Sequence, residues 1–171
     1  KNKQTTRSRD DQKRADDLVK RNFNADHPDQ LWVADFTYIQ THSGWVYTAF
    51  IIDVFSRAIV GWKVSTRMNT DMVLDALEQA LHDRGMPKNV IHHSDRGVQY
   101  LSIRYTNRLE AANLRASVGT TGDSYDNALA ETVNGLYKTE VIEYLKADWQ
   151  GLADVQLATL NWVDWFNKER V

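Results

Sequence analysis

Three short runs rich in aromatic and β-branched residues follow a polar start of the chain. They cover Leu31 to Gln40, Trp45 to Val54 and Ala58 to Ser65, and only a few residues separate each run from the next. Runs of this length and composition are typical of β-strands, and connections this short join antiparallel neighbours. The pattern therefore predicts three antiparallel strands in succession.

A helical spacing of apolar residues follows the third strand. From Met72 to Leu81 the apolar residues recur three and four positions apart, as they do on one face of a helix. Thr70 is in position to cap the start, and Gly85 with Pro87 beyond it marks the end. We therefore predict a helix between Thr70 and Gly85.

The remaining elements alternate between strand and helix. Short strands are predicted at Asn89 to His93 and at Leu114 to Val118, with a helix of about Ile103 to Asn113 between them. A long helix of roughly Asn127 to Leu145 follows. A final helix is predicted to bury the stripe Leu152, Val155, Leu160, Val163 and Phe166. Because this alternation implies parallel crossovers, the predicted fold is α/β: a mixed sheet of about five strands, three antiparallel and then parallel, flanked by helices.

Composition limits the number of domains and the kinds of metal site. A chain of 171 residues, 42% of them hydrophobic, has the size of one domain. Because cysteine is absent, disulfides and thiolate zinc sites are excluded, and any metal ion must have oxygen or imidazole ligands. No apolar run has the length of a membrane span and no signal pattern starts the chain, so a cytoplasmic protein without membrane contact is expected.

The charge is distributed unevenly along the chain. The net charge is −2, but residues 1–21 contain eight Lys or Arg against four Asp. Such a basic arm suits contact with DNA phosphates, although a solvated terminus has the same composition. We interpret residues 1–29 as a basic polar lead-in or linker and residues 30–171 as the core domain.

Three acidic residues stand out by their context. Asp35 interrupts the apolar first strand, where an unpaired carboxylate is costly to bury. Asp95 directly follows a short strand, at the end where ligands bind in α/β sheets. Glu131 lies on the long predicted helix. Each has a simpler interpretation as well: an edge carboxylate satisfied by backbone groups, a turn cap and a solvated helix face, respectively.

Glu131 shares its helix face with other polar residues. Asn127, Glu131, Asn134 and Lys138 fall at i, i+4, i+7 and i+11, so they form one stripe. Mg²⁺ and Mn²⁺ prefer oxygen ligands, and two such ions about 3.5–4 Å apart can hold the attacking and leaving oxygens of a phosphoryl displacement. Two strand-borne aspartates and this glutamate can supply such a site.

Four motifs occur in order along the chain. They are Trp32-Val33-Ala34-Asp35-Phe36-Thr37-Tyr38; Asp53-Val54-Phe55-Ser56-Arg57 with Val60-Gly61-Trp62; His93-Ser94-Asp95-Arg96-Gly97-Val98-Gln99-Tyr100; and Asp126-Asn127-Ala128-Leu129-Ala130-Glu131 with Leu136-Tyr137-Lys138-Thr139-Glu140. With these motifs, and with 35 residues between Asp95 and Glu131, the chain resembles the catalytic domain of insertion-sequence transposases, which share the ribonuclease H-like fold with retroviral integrases.

The resemblance implies a metal-dependent enzyme that cleaves and transfers DNA strands at the ends of a mobile element. Asp35, Asp95 and Glu131 would be the catalytic residues and the ligands of Mg²⁺ or Mn²⁺, with two ions in the site. The candidates for DNA binding are Lys138, Asn134, Arg96 and Gln99. The implied partners are element-end DNA, target DNA and further copies of the chain on paired DNA ends. A region that recognises the DNA end is expected upstream of residue 1, so the chain is interpreted as a catalytic core.

Other conspicuous residues have competing interpretations. His92 and His93 could take part in a zinc or iron site, but local hydrogen bonds explain them equally well. Asp53 could be a fourth site carboxylate, or it could hold a turn or pair with Arg57. Gly119 to Asp123 is predicted to be a mobile loop beside the site. The six Trp residues are interpreted as packing residues, although exposed ones could stack on bases.

Two other functions are compatible with the same residues. A ribonuclease H-like nuclease would use the same fold and metals on RNA–DNA hybrids or DNA junctions, without joining activity. A non-catalytic module for DNA binding or assembly would keep the fold and function without the carboxylates. Such nucleases typically carry more than three clustered carboxylates, and the intact set of three acidic residues ranks the non-catalytic module last.

Overall fold

A computed structural model describes residues 24–94, 98–118, 128–145 and 148–171, without the side chains of residues 98 and 118. One sheet runs through it. Its strands are β1 (Leu31–Thr41), β2 (Gly44–Asp53), β3 (Ile59–Ser65), β4 (Ile91–Ser94) and β5 (Arg115–Val118). The spatial order is β3-β2-β1-β4-β5. The first three strands are antiparallel, and β4 and β5 run parallel to β1, so the predicted mixed sheet is confirmed.

Helices pack on both faces of the sheet. They are α1 (Thr70–Asp83), α2 (Val98–Leu101), α3 (Ile103–Ala111), α4 (Ala128–Tyr137) and α5 (Leu152–Trp165). The sequence did not predict the short helix α2. A π-helical segment, Lys138–Glu143, continues α4, and another, Phe166–Arg170, ends α5. Within the described ranges, no helix is long and apolar enough to span a bilayer.

The sheet separates two hydrophobic cores because successive strand residues point to opposite faces. On one face, Phe50 packs among side chains from α4 and α5, including Tyr137 and Trp162. On the other face, Trp32 packs in a cluster with Leu77 of α1 and residues of α3. β1 lies at the centre of the sheet and contributes to both cores, which explains why successive residues from Leu31 to Ala34 are all apolar.

Gly61 allows the backbone of α1 to approach β3 closely. A Cβ atom at this position would lie 2.3 Å from the carbonyl oxygen of Ala76 and 3.0 Å from the Cβ of Ala80. Both neighbours belong to a regular helix that cannot move locally without losing its own packing. The glycine within the Val60-Gly61-Trp62 motif is therefore a packing requirement.

Two local predictions about the helices were wrong. The cap of α1 is Asn69, whose Oδ1 accepts a 3.2 Å hydrogen bond from the Met72 amide, and Thr70 is the first helical residue. In α5, Leu160 is 50% exposed, whereas Thr159 is fully buried. Thr159 is accommodated because its hydroxyl donates to the Val155 carbonyl at 2.7 Å. The buried face of α5 therefore contains Thr159 and not the more hydrophobic Leu160.

The six Trp residues divide between the two interpretations, packing and exposure. Trp32, Trp149 and Trp162 are buried, and Trp62 packs half-buried against the α4–α5 core. Trp45 and Trp165, in contrast, are 49% and 44% exposed. Trp45 lies near the start of β2, and Trp165 at the end of α5 contacts the guanidinium of Arg170.

Candidate active site

Asp35 lies on β1, the strand at which the order of strand addition reverses. The chain runs from β1 outward through β2 to β3, and then returns to place β4 on the other side of β1. The pairing of β1 with β4 ends at Ala34 and Ser94, and half-buried Asp35 comes directly after it. A crevice opens at such a switch point because the connections leave in opposite directions. The first candidate carboxylate therefore lies at the position where α/β sheets bind ligands.

Helix α4 is held firmly beside this crevice. Its last residue, Tyr137, is fully buried, and its hydroxyl lies 3.2 Å from Thr48 Oγ1 of β2 and 2.7 Å from Thr159 Oγ1 of α5. Burial raises the pKa of Tyr137, so the phenol stays protonated and can donate one of these hydrogen bonds. The network fixes α4 to the sheet and to α5.

Asn134 of α4 contacts Asp35 directly. Its Nδ2 donates a 3.1 Å hydrogen bond to Asp35 Oδ2, while the Phe36 amide donates at 2.8 Å to Asp35 Oδ1. The simpler interpretation of Asp35, a carboxylate that accepts a backbone hydrogen bond, thus holds for its Oδ1 atom. The other oxygen is oriented by a side chain from an element 99 residues away, a contact that helical spacing alone did not reveal.

Glu131 and Lys138 lie on either side of this contact along the helix. Glu131 is exposed in the first turn of α4, one turn before Asn134. Lys138, one turn after Asn134, is exposed and holds its Nζ 5.3 Å from the centre of the Tyr38 ring. The polar stripe therefore follows β1 from Asp35 towards Tyr38. The sequence analysis did not single out Tyr38. The available signal was the alternation along β1, which turns Tyr38 to the face opposite Asp35.

Several predicted site residues lie outside the described residues: Asp95, Arg96, Asn127 and the loop Gly119 to Asp123. The basic segment 1–21 lies outside them too. Gln99 is described, and its amide donates a 3.4 Å hydrogen bond to the Met68 carbonyl; no described contact joins it to Asp35. The neighbouring Tyr100 is buried between the rings of Phe36 and Tyr105, as structural support.

His92 and His93 point to opposite faces of β4, and each has a protein partner. The Nε2 atom of His92 lies 2.6 Å from the Tyr105 hydroxyl, and Nδ1 of His93 lies 2.8 Å from Ser117 Oγ. Both histidines are buried. These contacts support the interpretation by local hydrogen bonds over a zinc or iron site.

Burial lowers the pKa of His92 to about 4, from an ordinary value of 6.5, because the desolvated ring binds a proton poorly. Between these pH values the unfolded chain binds a proton that the folded protein does not. The free energy of unfolding is therefore expected to fall by about 3 kcal/mol as pH is lowered through this window, and to be independent of His92 above it. Urea unfolding across the window measures the effect.

His92→Gln is expected to flatten this pH dependence, since the difference between the two proteins isolates one titrating ring. The ring can also be titrated directly by NMR in the wild-type protein if the variant does not fold. A ring that titrates near its ordinary pKa in the folded state would contradict the prediction.

Asp53 holds a turn, as one of its interpretations predicted. It is fully buried, and its carboxylate accepts hydrogen bonds from the Asp29 amide at 3.0 Å and from Ser56 Oγ at 2.7 Å. Its cationic neighbour is Arg84 at 3.8 Å, so the pairing with Arg57 was not correct; Arg57 contributes its backbone amide, which donates to the Asp53 carbonyl.

The donors around Asp35 suit a hard divalent cation. Carboxylate and amide oxygens are the ligands that Mg²⁺ prefers, and Asp35, Glu131 and Asn134 offer only oxygen acceptors. The Asn134 Oδ1 atom is buried and has no hydrogen-bond partner among the described residues. A complete group of three metal-binding side chains is not found within the described part of the chain, from which Asp95 is missing. The described donors therefore fit part of a metal site.

Family models and curated relatives both relate the chain to integrases and transposases. Residues 25–124 match the family described as Integrase core domain, and residues 112–171 match a second model with the same description. The chain is 60% identical over 157 residues to the transposase for insertion sequence element IS629 of Shigella sonnei, covering 92% of this chain and 52% of that protein. It is 54% identical over 160 residues to a putative transposase for IS986/IS6110 of Mycobacterium tuberculosis, covering 91% and 57%. The chain thus spans about half the length of these curated relatives.

Solved structures show the same fold at low sequence identity. The HTLV-2 integrase catalytic core domain in complex with magnesium is 19% identical, with a TM-score of 0.65, over 84% of this chain and 88% of that one. A simian T-cell lymphotropic virus intasome chain is 18% identical, with a TM-score of 0.69, over 81% and 48%. The five-stranded mixed sheet is therefore the ribonuclease H-like fold of integrase cores. Because the family match covers more than half of its residues, this chain belongs to the integrase core domain family and is a homologue of insertion-sequence transposases.

Proposed function

We propose that this chain is the catalytic domain of a transposase that cleaves and joins DNA strands at the ends of a mobile element, with Asp35, Asp95 and Glu131 as its metal-binding carboxylates. The observation that carries the proposal is the position of Asp35 at the switch point of the sheet, bonded through Asn134 to the helix that carries Glu131. The homology of the chain to insertion-sequence transposases supports the same function.

The register of the sheet supports Asp95 as the second carboxylate. Ala34 pairs with Ser94 in parallel strands, and the next residues in the two sequence segments are Asp35 and Asp95. Paired residues of parallel neighbours turn their side chains to the same face of the sheet. A continuation of this register would give the two aspartates adjacent positions beside α4.

Divalent ions bound there would activate the attacking hydroxyl and stabilise the leaving oxygen of a phosphodiester. Magnesium in the HTLV-2 integrase core supports Mg²⁺ as the cofactor, and Mn²⁺ has the same ligand preference. We expect two ions. The protein's own contribution is orientation. The Asn134 amide and the Phe36 N–H each fix one oxygen of Asp35, so the carboxylate is preorganised for binding an ion.

The remaining proposed residues contact DNA. Lys138, Asn134, Arg96 and Gln99 are the candidates. Lys138 is exposed and lies two turns beyond Glu131, so its ammonium would bind a phosphate of the strand that enters the site. The basic lead-in 1–29 would add contacts to the core of residues 30–171, and copies of the chain would assemble on paired DNA ends.

The test uses a branched DNA that mimics the joined product, because resolution of the branch is the reverse of strand joining and requires the same carboxylates. Resolution by the chain is expected with Mg²⁺ or Mn²⁺ and is expected to stop when EDTA removes the metal. Cleavage of an RNA–DNA hybrid without branch resolution would assign a ribonuclease H-like nuclease instead. Binding without any metal-dependent product would assign a non-catalytic module.

A further inference from the structure

Two large aromatic side chains are exposed next to each other at one end of the sheet. Tyr38 of β1 and Trp45 of β2 are 56% and 49% exposed. Their rings are 5.2 Å apart in an edge-to-face arrangement. Tyr38 pairs with Tyr47, so Trp45, two residues before Tyr47, is its diagonal neighbour on the same face. Single exposed aromatics are common, whereas two rings in contact form a continuous surface on which a planar ligand can stack.

A cation lies beside the pair. The Lys138 ammonium is 5.3 Å from the centre of the Tyr38 ring, although Lys138 belongs to the helix on the opposite face of the sheet. It reaches the ring around β1, whose described pairing with β4 ends at Ala34. The sequence from Phe36 to Ile52 contains no Asp or Glu. A surface of aromatic rings and a cation complements a ligand with planar groups and negative charge.

The pair is also close to the proposed carboxylates. Tyr38 follows Asp35 by three residues in one strand, a distance of about 10 Å. Lys138 follows Glu131 by seven residues along the helix, again about 10 Å. Asp35 and Tyr38 point to opposite faces of β1 because they are three residues apart. A DNA strand that contacts both must therefore pass around β1, as the Lys138 side chain does.

We propose that Tyr38 and Trp45 form a stacking platform for unpaired bases of the DNA strand that enters the active site, with Lys138 on its phosphate. The inference rests on the proposed function, since it takes DNA as the substrate. Every base has a π-face, so stacking on such a platform is tolerant of sequence. The platform holds a strand whose bases have left the duplex, and it thereby positions the adjacent phosphodiester at Asp35 and Glu131.

The test is equilibrium binding of the chain, in EDTA, to a duplex with a short single-stranded overhang that carries 2-aminopurine. Tyr38→Ala and Trp45→Ala are each expected to weaken this binding about fivefold to a hundredfold and to remove the fluorescence quenching that stacking causes. Binding of a blunt duplex, or of the same overhang without bases, is expected to stay unchanged. Trp45→Phe keeps a ring and is expected to retain most of the affinity.

Phe55→Ala is the matched control, because Phe55 is 48% exposed in the turn that follows β2. Thermal unfolding of each variant verifies that the sheet is intact. Wild-type affinity and quenching in the Tyr38 and Trp45 variants would overturn the platform. So would equal weakening on blunt and overhanging DNA, or a loss of self-association with DNA binding unchanged, which would assign the surface to a protein contact. These binding results are independent of catalysis, since the proposed function is tested by metal-dependent branch resolution and by its requirement for the carboxylates.

Discussion

Glu131→Gln is expected to reduce metal-dependent resolution of branched DNA by at least about a thousandfold. The substitution keeps the size of the side chain but removes its charge, and a neutral amide binds a divalent ion far more weakly than a carboxylate does. Stability is expected to change by less than about 0.5 kcal/mol, because Glu131 is exposed. Initial rates of resolution, measured with Mg²⁺ over a range of concentrations, test the prediction.

Glu143→Gln provides the matched control for this experiment. Glu143 is also exposed and lies at the end of the π-helical segment that continues α4. The same charge is removed from the same continuous helix, away from Asp35, so activity is expected to remain at the wild-type level. Equal rates for Glu131→Gln and wild type would exclude Glu131 from the metal site. Equal losses in both variants would point to an effect of net charge on DNA binding.

Asp53→Ala is expected to lower the free energy of unfolding by about 4 kcal/mol. The carboxylate is fully buried and accepts hydrogen bonds from Asp29 and Ser56. Its removal leaves these buried donors without an acceptor and takes away one of the two carboxylates beside Arg84. The start of β1, the end of β2 and the end of α1 all meet at this residue, so the loss is not confined to one turn. Urea unfolding at neutral pH measures it.

Asp75→Ala is the matched control for stability. Asp75 also pairs with a cation, Lys63 at 3.3 Å, but its side chain is 55% exposed, so its removal is expected to cost less than about 1 kcal/mol. Branch resolution per folded molecule is expected to be unchanged in Asp53→Ala. A large loss of activity without a loss of stability would instead make Asp53 a carboxylate of the site.

The contrast between Asp35 and Asp53 shows what the sequence was able to predict. Each is an acidic residue in a predicted strand of mostly apolar residues, so local sequence offered both as candidate carboxylates of the site. The tertiary structure gives Asp53 a set of donors that tie three elements together. It gives Asp35 a half-buried position at the switch point of the sheet, with a helix side chain to orient it. Only the neighbours brought from distant parts of the chain separate a structural carboxylate from a candidate catalytic one.

The sequence by itself determined the order and type of nearly all elements, because hydrophobic periodicity is a local property that each segment carries. The strands β1 to β3, the helix α1 and the long helix after Asp126 all followed from spacing. The register of the pairs and the faces of the helices did not, since they depend on volumes and hydrogen bonds between distant segments. Thr159 is buried in place of Leu160 because a hydroxyl partner was available.

The same division applies to the site. The acidic residues and their spacing were visible in the sequence, as was the polar stripe on α4. The hydrogen bond from Asn134 to Asp35 and the reach of Lys138 to Tyr38 join residues about a hundred positions apart. The exposure of the Tyr38–Trp45 pair depends on where the helices stop covering the sheet. These contacts were decided by the packing of α4 against β1, because only the folded chain brings a helix stripe and a strand edge within reach of each other.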